Sequence, residues 1–358
     1  MQYIVLDLEW NQCPGGKERE NPDLPFEIIE IGAVRLDENF QKMDSYSERI
    51  KPQVYHQLHY RTRQLLKVNL KDFNRARRFP SVIRSFLKWC GSDYTFVTWG
   101  PMDLDYLQNN MDYYKLQQQL SKPLFYYDAQ KLFSIFHEDG KSRKSLKYAV
   151  EFLGLKEKRP FHRAIDDAYY TADVLATINP NDAIVYCSVD YHNPPRCREE
   201  EILLHFPQYS KFVSRTSDNK EDLMRDRMIT VTPCHICGRS LRKKIRWFTT
   251  NNNTYYSLSI CADHGPMQGK IRIKKTDDGN YFAIRTTKMI SEEKALTIRE
   301  KQEMLRVKRR IRRSRSSASS VYTQPAGSIN LTVTPTAADK RKQNRQKQNN
   351  SQQKAQDS

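Results

Sequence analysis

The chain contains 358 residues, which is long enough for two domains. Its 60 lysines and arginines against 42 acidic residues give a formal net charge of +18, which favours an anionic partner. No apolar run approaches the roughly 18 residues of a membrane span, and no secretory signal pattern opens the chain. The seven cysteines, an odd number, argue against a disulfide scaffold, so we expect a cytoplasmic protein without membrane contact.

Short apolar, β-rich runs alternate with longer helical patterns over residues 1–180. The predicted strands are Tyr3–Trp10, Ile28–Leu36, Ser45–Ile50, Tyr94–Trp99 and Leu124–Tyr127. The predicted helices are Pro80–Trp89, Asp103–Met111, Ser145–Leu153 and Ala164–Ile178. This alternation predicts an α/β domain built from layers of strands and helices.

The composition changes after residue 180. Asn193-Pro194-Pro195 interrupts any regular element, and we predict that residues 181–230 form a connector with some helix. Residues 231–290 combine a cysteine cluster with β-type runs, and a charged helical pattern covers residues 291–313. Residues 314–358 are rich in Ser, Gln, Asn and Lys and poor in large apolar side chains, so we expect a disordered basic tail.

Two acidic residues interrupt the first predicted strand. Asp7 and Glu9 share one face of that strand, about 7 Å apart, because side chains alternate along a strand. Its other residues are mostly apolar on both faces, which is typical of a strand in the middle of a covered sheet. Buried carboxylates are unfavourable without a compensating charge, so the pair indicates either a cation site or a strand end that reaches water.

A third acidic residue opens the helix that follows the fourth strand. Asp103 borders the apolar stripe of this helix, whereas Asp105 points away from the stripe. Asp103 can therefore face a cleft, or it can simply favour the helix N-terminus, which is a common role for an acidic residue.

The last acidic group stands at the start of the helix Ala164–Ile178. Asp167 borders the stripe of small residues on this helix, while Asp166 lies almost opposite and is interpreted as a solvated charge. His162 precedes the helix and has no evident packing role. A structural and a catalytic role for this histidine both stay open on the residues alone.

Together these positions resemble the DEDDh 3′→5′ exonucleases, a superfamily with the RNase H-like fold. The similarity covers about the first 180 residues, and its details are most similar to the KapD/ERI branch. The matching motifs are Leu6-Asp7-Leu8-Glu9-Trp10, Glu27-Ile28-Ile29-Glu30-Ile31-Gly32-Ala33, Thr98-Trp99-Gly100-x-x-Asp103 and His162-Arg163-Ala164-x-Asp166-Asp167-Ala168. The resemblance implies an RNase H-like mixed sheet flanked by helices. The cysteine spacing and the composition of the later residues add a small zinc-ribbon-like β region and a disordered basic tail to this prediction.

The resemblance also implies roles for the motif residues. Asp7, Glu9, Asp103 and Asp167 would hold two Mg²⁺ or Mn²⁺ ions, which prefer carboxylate oxygens, and Asp7 would bridge both. His162 would act as general base, since histidine titrates near neutral pH. The implied activity is hydrolysis of single-stranded nucleic acid from its 3′ end by a two-metal mechanism.

RNA is the expected substrate, because the KapD/ERI branch is associated with RNA. One alternative is a DNA 3′→5′ exonuclease with the same chemistry. Another is a catalytically idle RNA-binding regulatory protein that retains the fold. Recognition of a 2′-hydroxyl would separate RNA from DNA, but no residue of the sequence identifies such a contact.

A second candidate metal site lies in the region 231–290. Cys234 and Cys237 form a Cys-x2-Cys pair, and Cys261 and His264 follow it after 23 intervening residues. This spacing predicts one structural Zn²⁺, although His235 inside the first pair could replace His264. The remaining cysteines are isolated and are assigned no function: Cys13, Cys90, Cys187 and Cys197.

Basic and aromatic residues supply candidate nucleic-acid contacts. Trp10 and Trp99 lie beside catalytic positions and could stack on terminal bases, or they could be core aromatics. The basic residues expected to contact phosphates are Lys243, Lys244, Arg246, Arg309 and Arg310. The last two belong to residues 301–358, which carry 14 lysines and arginines against three acidic residues.

Overall fold

The structure is a computed structural model that describes residues 1–116, 119–251 and 253–320. The predicted tail beyond residue 320 lies outside the described residues. The strands are β1 Gln2–Gln12, β2 Phe26–Leu36, β3 Lys42–Arg49, β4 Tyr94–Thr98, β5 Phe125–Asp128, β6 Ser188–Val189, β7 Ile202–His205, β8 Tyr209–Val213, β9 Lys243–Asn251, β10 Thr254–Cys261, β11 Gly265–Lys275 and β12 Tyr281–Met289. The helices are α1 Tyr60–Leu66, α2 Phe79–Cys90, α3 Met102–Tyr113, α4 Ala129–His137, α5 Leu146–Phe152, α6 Ala164–Leu175, α7 Pro180–Ala183, α8 Lys220–Arg225, α9 Arg227–Thr230 and α10 Glu292–Ser320.

The first sheet contains six strands in the order β3-β2-β1-β4-β5-β6. Strand β1 is antiparallel to β2 and parallel to β4, and β4 is parallel to β5. Carboxyl ends of the parallel strands β1, β4 and β5 therefore share one edge. The predicted mixed sheet flanked by helices is confirmed.

Strand β1 is apolar on both faces because helices cover both sides of the sheet. Ile4, Leu6 and Leu8 pack with apolar residues of α2 and α3 on one side. Tyr3 and Val5 pack with residues of α4 and α6 on the other side. Side chains alternate along a strand, so Asp7 and Glu9 continue the face that α6 covers.

Gly32 allows helix α6 to approach the sheet closely. It is the cross-strand partner of Asp7 on β2. A Cβ atom at this position would lie 2.1 Å from the backbone nitrogen of Ile165 and 2.2 Å from the carbonyl carbon of Ala164. Only glycine leaves room for the first turn of α6 against β2, and this contact sets the height of that turn above Asp7.

The second sheet is larger than the predicted zinc-ribbon-like region. It contains six antiparallel strands in the order β7-β8-β12-β11-β10-β9. Strands β7 and β8 come from the predicted connector 181–230, and β8 pairs with β12 through Val213 opposite Ile284. Segments of the predicted connector 181–230 and of the predicted region 231–290 thus share one sheet, through a pairing between segments about 70 residues apart that no local pattern connects.

Two features remain, the extent of the compact unit and the length of the last helix. Residues Met1–Glu300 form one compact unit that includes both sheets. Helix α10 continues to Ser320, beyond the predicted end at residue 313. Among the helices that the structure describes, none combines the length and apolar character needed to cross a bilayer.

The close approach at Gly32 generates a stability prediction. Gly32→Ala forces a methyl group against the α6 backbone, so we expect a loss of about 3 kcal/mol or more in the free energy of unfolding. Gly15→Ala is the control, because its Cβ would meet only the flexible side chain of Arg19. Urea unfolding measures both variants, and equal midpoints for the two would contradict the packing assignment.

Candidate active site and candidate metal sites

Asp7 and Glu9 lie on β1 where that strand meets the start of α6. Burial raises the pKa of Asp7 well above its ordinary value, and the charges of Asp103, Asp167 and Glu9 raise it further. Burial and the neighbouring Asp167 raise the pKa of Glu9 to about 8. The fold therefore brings the three separate acidic motifs of the sequence within electrostatic reach of one another.

Asp103 enters the same site from the first turn of α3. Its side chain is 7% exposed, and its Oδ1 atom accepts a hydrogen bond from the Leu8 backbone nitrogen at 3.2 Å. Burial raises its pKa to about 7 although this hydrogen bond favours the charged form. The bond ties the start of α3 to β1 and fixes the position of the carboxylate.

Asp105 has a different environment on the same helix. It is exposed and lies 3.3 Å from the Nδ1 atom of His192, whose Nε2 atom lies 2.8 Å from Asp112. Burial lowers the pKa of His192, but its hydrogen bonds to the two aspartates outweigh burial and raise it to about 9. Asp105 thus takes part in an ion pair outside the carboxylate cluster.

Asp167 and His162 complete the cluster at the start of α6. The Oδ2 atom of Asp167 accepts a hydrogen bond from the His162 backbone nitrogen at 3.1 Å, while Oδ1 is buried without a hydrogen-bond partner. Burial raises the pKa of Asp167 to about 6. His162 is exposed and has a positive φ of 67°, and its ring and the carboxylates of Glu9 and Asp167 lie within 4.8 Å of one another.

Asp166 lies outside this group. Its carboxylate is 3.6 Å from the Nε atom of Arg159, and its side chain is only 20% exposed. The interpretation of Asp166 as a solvated charge is therefore wrong. Helix periodicity placed it away from the core, but it could not reveal that residue 159 folds back onto this face.

Two residues of the site were part of the sequence motifs but received no role from them. Glu30 lies opposite Glu9 on β2 and is 1% exposed. The Nε atom of Arg163 is 3.1 Å and 3.2 Å from its two carboxylate oxygens, and Arg49 is 3.9 Å away. The sequence contained one indication of a role for Glu30, because it is an acidic residue inside the otherwise apolar strand segment Ile28–Val34.

The chemistry of this cluster fits divalent cations. Burial raises the pKa of all four carboxylates, the charges of other cluster members raise it further for Asp7, Glu9 and Asp103, and one oxygen of Asp167 has no partner. The nearby Arg163 lowers the pKa of Glu9, but Arg163 is already paired with Glu30. Hard cations such as Mg²⁺ and Mn²⁺ bind carboxylate oxygens and would relieve this repulsion.

The predicted cysteine and histidine ligands also converge. Ligand atoms of Cys234, Cys237, Cys261 and His264 lie within 4.8 Å of one another. The Cys237 and Cys261 sulfurs are 3.8 Å apart, and the His264 Nδ1 atom is 3.6 Å from Cys234 and 3.5 Å from Cys261. In a tetrahedral zinc site the bonds are about 2.3 Å to sulfur and 2.0–2.1 Å to nitrogen. These bond lengths require about 3.8 Å between two sulfur ligands and about 3.5 Å between a sulfur and a nitrogen ligand.

Local chemistry favours metal binding at this cluster. A hydrogen bond from Arg239 lowers the pKa of Cys237 to about 6, which favours the thiolate form that binds metals. His235 is not one of the four converging ligands, and its Nε2 atom lies 3.3 Å from the Pro207 carbonyl oxygen. The geometry thus selects His264 over the alternative histidine.

The predicted nucleic-acid contacts have varied surroundings. Trp10 packs edge-on against Tyr106 at 4.6 Å, and Trp99 donates a hydrogen bond from Nε1 to the Lys144 carbonyl oxygen at 3.1 Å. Both tryptophans are half-buried and contribute to core packing, so base stacking by them stays a prediction. The basic residues lie on β9, at one edge of the second sheet, or are exposed on α10: Lys243, Lys244, Arg246, Arg309 and Arg310.

Comparisons with known proteins agree with this geometry. Residues 4–175 match the model of the exonuclease family named RNase T. The chain is 29% identical over 108 residues to the probable 3′-5′ exonuclease KapD of Bacillus subtilis (strain 168), covering 30% of this chain and 51% of KapD. The chain thus spans about half the length of that curated relative.

Two solved structures of known nucleases are also similar. The nuclease domain of 3′hExo, a DEDDh family member bound to rAMP, is 21% identical and has a TM-score of 0.44, with 53% of this chain and 96% of that chain covered. E. coli exonuclease I in complex with a dA16 oligonucleotide is 13% identical and has a TM-score of 0.42, with 72% and 54% covered. The match to the exonuclease family covers residues 4–175, slightly less than half of the chain, and all four converging carboxylates lie within it.

Proposed function

We propose that this protein hydrolyses single-stranded nucleic acid from its 3′ end, with RNA preferred over DNA. The observation that carries the proposal is the convergence of Asp7, Glu9, Asp103 and Asp167, with His162 beside them, at one edge of the first sheet. The relative KapD is itself a probable 3′-5′ exonuclease. The preference for RNA rests on the motif resemblance to the KapD/ERI branch.

In this proposal Asp7, Glu9, Asp103 and Asp167 would hold divalent cations such as Mg²⁺ or Mn²⁺. Bound cations of this kind would activate a water and stabilise charge on the departing 3′-oxygen. Asp103 is held in place by the Leu8 backbone, and the unpartnered Oδ1 atom of Asp167 is free to bind a cation. Each ligand thus sits on an element that the core fixes.

His162 accepts the proton of the attacking water. Its backbone nitrogen is bound to Asp167, and the next residue, Arg163, is anchored to the buried Glu30. The ring is exposed and lies within reach of the carboxylates of Glu9 and Asp167. An exposed ring on an anchored backbone suits a general base that must meet the end of a substrate.

The cysteine cluster holds one structural Zn²⁺ in our proposal. Its ligands come from the segment before β9, from the end of β10 and from the turn that follows it. A metal there would tie the loop at residues 234–238 to the end of the sheet, where Cys234 and Cys261 pack with Met267 and the partly buried Leu241. Binding therefore contributes to folding rather than to the reaction.

The first test concerns the acidic ligands. The wild-type protein should remove nucleotides from the 3′ end of RNA faster than from DNA when Mg²⁺ or Mn²⁺ is present. Added Mn²⁺ should raise the melting temperature of the protein. Asp103→Asn and Asp167→Asn should lose this shift and reduce turnover by a factor of roughly 100 or more. The rise in melting temperature reports cation binding independently of turnover, because a bound cation relieves carboxylate repulsion and stabilises the fold.

Matched controls are available on the same helices. Asp105→Asn and Asp166→Asn remove the same charge next to each ligand but lie outside the cluster. They should retain turnover within about threefold and keep the Mn²⁺-induced stabilisation. Equal losses in a ligand variant and its neighbour would rule out the assignment of the metal ligands.

The second test concerns His162. At saturating metal the wild-type kcat should rise with pH as a histidine base becomes neutral. His162→Gln should lose this rise and lower kcat by roughly 100-fold, with KM little changed, because a base acts in the transition state. A variant with the wild-type pH profile would remove His162 from the reaction.

The third test concerns zinc. Purified protein should contain about one zinc per chain by elemental analysis, as a four-ligand site implies. Cys234→Ser should lose the metal and lower the melting temperature, whereas Cys197→Ser, at an exposed isolated cysteine, should change neither. Full zinc content in Cys234→Ser would exclude the proposed ligand set.

A further inference from the structure

A basic cavity of about 430 Å³ lies between the two sheets, within the compact unit Met1–Glu300. Strands β5 and β6 and helix α4 line one side, and strands β8, β11 and β12 line the other. Seven lysines and arginines face it against one acidic residue, Asp128. Lys131 and Arg143 come from the first side, and the second sheet contributes Lys211, Lys270, Arg272, Lys274 and Lys288.

The protein compensates only part of the positive charge of this cavity, through Asp128 beside Lys131 and Lys211 and through Asp190 and Asp105 near Lys274. None of the seven cations forms an ion pair with a carboxylate in the described part of the chain. Lys131 is buried, and its ammonium donates to the Tyr186 carbonyl oxygen at 3.0 Å. Burial and the neighbouring cations together lower the pKa of Lys131 and of Lys211 to about 8, although Asp128 acts in the opposite direction. Such crowding opposes folding, which indicates that an anion binds here.

The cations form a row rather than a single point. Lys270, Arg272 and Lys274 are alternate residues of β11, so they share one face at intervals of about 7 Å. Lys288 on β12 pairs with Gln268 of β11, which lies two residues before Lys270. A row of this kind suits a ligand that repeats its negative charge along a chain, as a nucleic-acid backbone does.

The cavity begins close to the carboxylate site. Asp128 at the end of β5 pairs with Thr98 at the end of β4, and Val97 of β4 pairs with Val5 of β1. Strands β5 and β1 are therefore separated by two strand spacings, about 10 Å, near the edge of the sheet where Asp128 and Asp7 lie. A strand whose end reaches the carboxylates can extend into the cavity.

We propose that this cavity binds the phosphodiester backbone of a single strand, upstream of the 3′ end that enters the carboxylate site. The position of the 3′ end rests on the proposed exonuclease function. The aromatic rings of Tyr191 and Tyr209 line the same cavity and supply surfaces for bases. The second sheet thus contributes to substrate binding through the face that meets the first sheet.

The test is the full-length double variant Lys211→Gln/Arg272→Gln. Its affinity for a fluorescent single-stranded oligonucleotide is measured by anisotropy at several salt concentrations in the Asp103→Asn background, which preserves the strand. Loss of two phosphate contacts should weaken binding about tenfold or more and reduce the slope of log affinity against log salt by about 1.4. With Asp103 intact, the double variant should raise KM and leave kcat nearly unchanged.

Two controls separate the cavity from net charge and from misfolding. Arg84→Gln/Lys88→Gln removes the same charge from exposed positions of α2, and it should leave affinity and salt slope unchanged. A second cavity variant, Lys270→Gln/Lys288→Gln, should reproduce the loss. Removing two of seven like charges should preserve or raise the melting temperature, so a binding loss reports contact rather than unfolding.

The outcomes of this test are distinct. If the protein binds the strand through the cavity but degrades no nucleic acid, the proposed activity is refuted and the cavity assignment is supported. If both cavity variants keep the wild-type affinity, KM and salt slope, the cavity assignment is overturned and the proposed activity is unaffected. Inorganic tripolyphosphate that binds through Lys211 and Arg272 without displacing the oligonucleotide would assign the cavity to a free polyphosphate and overturn the strand proposal.

Discussion

The repulsion among buried carboxylates at the edge of the first sheet is the constraint on which the rest of the structure depends. Asp7, Glu9, Asp103 and Asp167 come from three distant segments, and each has a raised pKa. Their crowding opposes folding of the metal-free chain, so other interactions must hold them together. Apolar burial on both faces of β1 does so, since each fully buried Ile or Leu contributes about 1.5–3 kcal/mol.

Close packing at one glycine then decides how the last ligand arrives. Gly32 lets the first turn of α6 lie directly on β2, which places Asp167 over the carboxylates of β1. The ion pair of Arg163 with Glu30 anchors the residue just before that turn. Backbone position, rather than side-chain flexibility, therefore sets the geometry of the site, which suits a reaction that requires fixed cation spacing.

The distribution of charge across the molecule follows from the same arrangement. Acidic residues converge at the end of β1, and a cavity with seven basic residues and one acidic residue lies about two strands away. Under the proposed function, a polyanion would be attracted to this cavity and to cations held by the carboxylates. Strands β8, β11 and β12 of the second sheet supply most of the basic residues.

The sequence by itself determined the α/β alternation, the strands at the centre of the first sheet, both candidate metal ligand sets and the resemblance to a nuclease family. These properties follow from local patterns: alternation places Asp7 and Glu9 on one face, and helix periodicity separates Asp103 from Asp105. Only the tertiary structure decided which charges are paired. Glu27 and Glu30 look alike in the sequence, yet Glu27 accepts backbone hydrogen bonds from Val54 and Tyr55, while Glu30 anchors Arg163. The six-stranded second sheet and its basic cavity were also hidden, because cross-strand pairing and burial depend on contacts between segments far apart in the chain.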